Sequence, residues 1–190
     1  MKRYEFLNLS MALPVTMLSG HKAGFFNQVR PIKGFTVKGG QDRFGKSITL
    51  LEGDTFYTKV SSKDTDGDIY TFESTRVKNG GPTLHIHDNQ DEWWYILEGE
   101  FNIKVGEEIY KAKTGDSVFG PRGVPHTFTK TSEGIARMLI TFQPAGQMEA
   151  FFTAIASGAM KGKSEEEQDD FRKKHGFRRV GPPLEYFKKF

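Results

Sequence analysis

Four residues carry the chemistry this sequence can do. His85 and His87 are two apart. Residues i and i+2 of a strand project from the same face, so two imidazoles stand side by side if this segment is extended. Glu92 follows a short polar turn and opens the next β-rich run. A hairpin at that turn is expected to return its carboxylate toward the histidine pair. His126 follows the turn Gly120-Pro121-Arg122-Gly123, and is expected on a strand of the facing wall. Three neutral imidazoles and one carboxylate make a donor set for one divalent transition metal, with positions left for water or substrate. Iron, manganese, nickel, copper and zinc all suit such ligands. A lone histidine is more often a satisfied structural side chain. Here three of the chain's five histidines fall in ligand slots, while His21 and His175 lie in the terminal regions.

Short strands must position these groups. Between Phe35 and Phe142, runs rich in β-branched and aromatic residues recur about every ten residues. They are Ile48–Leu51, Thr55–Val60, Ile69–Val77, Leu84–His87 and Glu92–Leu97, then Phe101–Val105, Ile109–Ala112, Ser117–Phe119, His126–Thr129 and Ile135–Phe142. Turn residues such as Asp66-Gly67, Gly80-Gly81-Pro82, Gly99, Gly106 and Gly115 separate them. Many short strands without intervening helices point to an antiparallel all-β sandwich or barrel. The expected organisation is an N-terminal arm over 1–34, a β-barrel over 35–146, and a C-terminal helical extension and tail over 147–190. In the extension, Met148, Phe151, Phe152 and Ile155 lie at helical spacing between Gln147 and Met160, and Phe151, Phe152 and Ile155 should bury against the barrel. Ser164-Glu165-Glu166-Glu167 fits a capping box opening a second helix through Lys174, closed by Gly176; Gly181-Pro182-Pro183 is expected to end regular structure.

The segment from Gly80 to Lys130 resembles the cupin superfamily. The first cupin motif, G-x5-H-x-H-x3,4-E-x6-G, is met by His85, His87, Glu92 and Gly99, with the leading Gly80 one residue closer than the pattern. The second, G-x5-P-x-G-x2-H-x3-N, is met by Gly115, Pro121, Gly123 and His126, with Lys130 where Asn is usual. The resemblance implies a double-stranded β-helix, or jelly-roll barrel, with one metal held by His85, His87, Glu92 and His126. The run DEWWYILEGE and the closing VGPPL look closest to single-domain cupins of the quercetin-dioxygenase-like type.

Strand parity from the ligands predicts the lining of a substrate pocket. Trp94 and Ile96 share a face with Glu92, and Phe128 with His126; in the last strand Met138, Ile140 and Phe142 form an apolar set with Ala136. Trp, Phe, Met and Ile around a metal suit a flat, oxygen-bearing aromatic or enolic ligand better than a sugar phosphate. The opposite parity, Trp93, Tyr95 and Leu97, is also apolar, and suggests a homodimer formed near this edge.

Other functions are excluded or demoted. The chain has no cysteine, so disulfide scaffolds, cysteine-zinc sites, iron–sulfur clusters and thiol catalysis are out. A net charge of +3 is a weak field, and no helix-turn-helix pattern is present, so no nucleic-acid partner is expected. Gly40-Gln41-Asp42-Arg43-Phe44-Gly45-Lys46-Ser47 spells a phosphate-binding loop, but a strand pattern rather than a helix follows it. Asp64 to Asp68 resembles a calcium loop out of register and reads as a hairpin turn. The stretch Phe6–Leu18 is too short and too interrupted to span a membrane. MKRYEFLN matches a twin-arginine export signal incompletely, so a cytoplasmic location is expected, with export as the alternative. The expected activity is metal-dependent and dioxygenase-like, on an aromatic or enolic small molecule, with Glu92 as the catalytic proton acceptor. The alternatives are a non-catalytic ligand-binding cupin and a metal-dependent isomerase or lyase.

Overall fold

A computed structural model describes residues 30–50 and 54–185. The N-terminal arm up to residue 29, with its export-signal resemblance, lies outside the described residues. Among the described residues no helix is long and apolar enough to cross a membrane.

The strands are β1 (Ile48–Thr49), β2 (Thr55–Val60), β3 (Tyr70–Arg76), β4 (Thr83–His87), β5 (Asp91–Glu98), β6 (Glu100–Val105), β7 (Glu108–Lys113), β8 (Ser117–Gly120), β9 (His126–Lys130), β10 (Ala136–Gln143) and β11 (Phe177–Pro183). Two helices, α1 (Met148–Ala156) and α2 (Glu165–Lys174), separate the last two strands. One sheet runs β1-β2-β3-β10-β5-β8 and the other β11-β4-β9-β6-β7, with every pairing antiparallel. This is an all-β jelly roll: chain segments alternate between two facing sheets, and the apolar parity of each strand meets the other sheet.

Strand β10 shows the rule plainly. Ala136, Met138, Ile140 and Phe142 are buried, while Arg137 and Thr141 face out. Trp94 and Ile96 on β5, Phe101 and Ile103 on β6, and Met138 complete a core in which each of these side chains is essentially sealed from water. Burial of such side chains contributes about 1.5–3 kcal/mol apiece. Gly120 is required where it stands, because a Cβ there would lie 2.7 Å from the Trp94 ring.

Several local expectations need correction. The first helix ends at Ala156 instead of Met160, since Gly158 turns to φ 90° and leaves the helical region. The second is capped by Ser164 with the reciprocal Glu167 bond as expected. The tail does not end regular structure at Gly181: β11 runs through Pro183 and pairs with β4. Its edge position in the sheet tolerates the two prolines, which have no N–H to donate. No helix follows Gly45; the chain goes into β1, which disposes of the phosphate-loop reading. The outward strip on β5 is partly exposed, with Trp93 at 37% and its cross-strand neighbour Phe119 at 57%.

Candidate metal centre

Two connections bring the four candidate ligands together. The first leads from β4 to β5. These strands belong to different sheets, so the expected hairpin does not form; Asp88–Gln90 instead carries the chain across the barrel. Gln90 clamps this crossing. It is buried, and its side-chain amide donates to the Ala145 carbonyl at 2.8 Å and the Pro144 carbonyl at 3.2 Å. Glu92 therefore reaches the histidine pair from the opposite wall. The second connection precedes β9. Gly123 N–H donates to the His87 carbonyl at 2.8 Å, and Arg122 grips Asp91 at 2.6 Å and 3.1 Å. Gly123 has φ 75°, a conformation that favours glycine. The expectation for His126 also needs correction: β9 is a direct neighbour of β4, with His85 opposite His126. The histidines line one sheet and the carboxylate the other.

The ligand atoms of His85, His87, Glu92 and His126 all lie within 4.8 Å of one another. Oε2 of Glu92 is 3.1 Å from Nε2 of His126, 3.4 Å from Nε2 of His87 and 3.8 Å from Nε2 of His85. Donors around one metal at about 2.1 Å sit at most about 4.2 Å apart, so a contraction well below an ångström closes the set. All four residues are at least nine-tenths buried.

The tautomers suit metal binding. Nδ1 of His85 lies 2.7 Å from the Thr83 carbonyl, and Nδ1 of His126 2.9 Å from the Val124 carbonyl. A carbonyl can only accept, so both Nδ1 atoms carry a proton, and this orientation turns both Nε2 atoms toward the centre. His87 is fully buried, and neither of its nitrogens has a hydrogen-bond partner. An orphaned imidazole in a sealed position is costly unless something occupies the centre. Burial pulls the His85 imidazole below its ordinary value, the neighbouring His126 and His87 add to this, and Glu92 opposes it. Burial alone would push the Glu92 carboxyl up, but His126, His85 and His87 hold it well below the usual carboxylate range. The cluster thus gathers one carboxylate and three imidazoles, a group able to hold a divalent metal. With all three imidazoles neutral the ligand charge is −1, which leaves a divalent ion a surplus positive charge for an anionic ligand.

A cavity of about 320 Å³ opens beside His85, His87 and Glu92. Phe128, Ile140 and Phe142 line it, as parity suggests, but Trp94, Ile96 and Met138 do not. Those three are wholly buried and fill the barrel instead of facing the opening. The remaining wall comes from elements that ligand parity could not reach. Phe56 and Phe72 come from β2 and β3; Phe151, Phe152 and Ile155 close the cavity from α1. Phe177 on β11 lies opposite His87 with ring centroids 5.2 Å apart. Its position follows from a strand that the sequence reading omits. His175 takes no part in the centre; its ring packs on Phe171 and Phe151.

Residues 72–142 match the family model described as Cupin domain. Among curated proteins, the chain is 27% identical over 112 residues to quercetin 2,3-dioxygenase of Bacillus subtilis (strain 168), covering 58% of this chain and 33% of that protein. It is 38% identical over 55 residues to an uncharacterized protein of Streptomyces coelicolor, covering 29% of this chain and 51% of the relative. The chain thus spans about a third and about half of the lengths of these relatives. Among solved structures, a RmlC-like cupin from Shewanella frigidimarina NCIMB 400 superposes with a TM-score of 0.50 at 20% identity, over 62% of this chain and 96% of that one.

Proposed function

From the premise that residues 72–142 form a cupin domain, we propose that the protein is a metal-dependent dioxygenase acting on a small aromatic or enolic molecule. The observation that carries the reading is the three-histidine, one-carboxylate cluster opening onto a largely apolar cavity. At about 320 Å³ the cavity sits at the small end of ligand pockets, which suits a flat molecule of few rings. The similarity to a quercetin 2,3-dioxygenase over 112 residues supports the same class. A divalent ion held by His85, His87, Glu92 and His126 would supply Lewis acidity toward a substrate hydroxyl.

The chain's own residues do the rest. Glu92, held ionised, is the proton acceptor for an enolic or phenolic hydroxyl brought beside it. Phe72, Phe142 and Phe152 form an aromatic wall against which a planar ring is oriented, and the Phe151 and Ile155 side chains exclude water from the opening. Molecular oxygen is the oxidant; both of its atoms enter the product, so no external reductant is needed. The test is oxygen uptake by metal-reconstituted protein with a flavonol such as quercetin. Oxygen consumed in equal amount to substrate lost supports the proposal. Tight binding without uptake establishes a ligand-binding cupin instead, and product formation without uptake an isomerase or lyase.

A further inference from the structure

Among the described residues, the charged or amide side chains that line the cavity away from the metal ligands are Asp54, Arg76, Gln168 and Arg172. Asp54 and Arg76 face each other in a buried ion pair, so their charges cancel. Arg172 differs. It lies in the last turn of α2, with its side chain only 15% exposed. Nη1 donates to Oδ1 of Asp169 at 2.6 Å and Nη2 to Oε1 of Gln168 at 3.3 Å. Asp169 is shared, because its Oδ2 also accepts from Arg179 at 3.0 Å. One carboxylate thus serves two guanidiniums. The remaining acid, Glu165, pairs with Arg179 from a position 81% exposed, where water screens it.

The adjacent pair on the same helix provides the contrast. Lys173 and Asp170 form the same i,i+3 pair but are 64% and 59% exposed and line nothing. Arg172 instead lines the cavity and is largely buried, with two of its five N–H donors engaged by Asp169 and Gln168. A planar guanidinium fork matches a carboxylate. Helix α2 also lies beyond the residues that match the family model, so this feature belongs to the extension and not to the shared barrel.

We propose that Arg172 is a specificity-determining residue that takes a carboxylate substituent of the substrate, making the preferred ligand an aromatic or enolic acid whose hydroxyl end faces the metal ligands. This rests on the functional reading above. The test uses the full chain loaded with zinc(II), which is redox-inert, and titration calorimetry with catechol, 3,4-dihydroxybenzoate and 3,4-dihydroxycinnamate. The two acids place a carboxylate at different distances from the same chelating hydroxyls. In the unaltered protein at least one acid binds about tenfold or more tightly than catechol, as a charge-assisted hydrogen bond implies. Arg172→Gln and Arg172→Met, which keep the stem on the helix, reduce that preference to about twofold or less while leaving the catechol affinity unchanged. Catechol binding that persists with no preference for either acid, or a preference that survives both substitutions, overturns the inference alone. Failure of all three compounds to bind overturns the aromatic-hydroxyl reading and this inference with it.

Discussion

Removing the carboxylate of Asp54 takes a buried counter-charge away from the Arg76 guanidinium in the cavity wall. Arg76 is 3% exposed and Asp54 4%. Nε of Arg76 donates to Oδ1 of Asp54 at 2.6 Å, a second donor, Nη2, reaches Oδ2, and Nη1 reaches the Gly80 carbonyl. The pair fastens the start of β2 to the end of β3 and holds the turn that leads into β4, the histidine strand. Breaking a buried pair on one side costs about 3–5 kcal/mol, because the remaining ion stays desolvated. For a chain of this size that corresponds to a fall in Tm of about 6–20 °C. Asp54→Ala should show this loss by calorimetry and by urea denaturation. The double change Asp54→Leu with Arg76→Met should recover most of it, since neither charge is then buried. The reasoning is refuted if Asp54→Ala shifts Tm by less than about 4 °C, or if the double variant is as unstable as the single one.

Three further outcomes follow from particular contacts. A Cβ at Gly81 would sit 1.6 Å from the Phe128 carbonyl oxygen, so Gly81→Ala must push β9 away from the β4 entry; expression and Tm should fall sharply, and an unchanged melt contradicts the contact. Burial would raise the Glu73 carboxyl, but the Gly40 N–H at 3.1 Å, Lys59 at 3.0 Å and Arg137 at 3.3 Å hold it below its ordinary value near 4.5. A depressed folded value gives stability above pH 4.5 that is lost as pH falls toward the folded value, so Glu73→Gln should cost about 1–3 kcal/mol at pH 7 and progressively less below pH 4.5; a gap constant with pH counts against this. A homodimer through Trp93 and Phe119 should appear by light scattering at micromolar concentration and dissociate in Trp93→Lys, whereas a monomeric unaltered protein removes that proposal.

The barrel and its four inward donors were legible because period-two parity is a local property. His85 with His87, and the buried set Met138, Ile140 and Phe142, follow from alternation alone. Which wall each strand joins is not local. Gln90 clamped on Ala145 and Gly123 bonded to His87 decide the crossing, and both contacts join distant parts of the chain. The hairpin expected for Glu92 and the facing wall expected for His126 were therefore interchanged. Strand β11 was missed because Gly181-Pro182-Pro183 carries turn residues in a sequence where only an edge pairing makes them a strand. Trp94 and Ile96 share Glu92's parity but not its opening, since parity specifies a face and not the depth of packing behind it.

The central claim is that His85, His87, Glu92 and His126 hold one metal ion. Its most direct test is elemental analysis of untagged protein after exposure to a divalent transition metal and exhaustive dialysis, beside His87→Ala treated identically. The account predicts one ion per chain in the unaltered protein and almost none in His87→Ala, with the same β-rich circular dichroism spectrum in both. A chain that retains no ion, or a His87→Ala chain that keeps one, contradicts it.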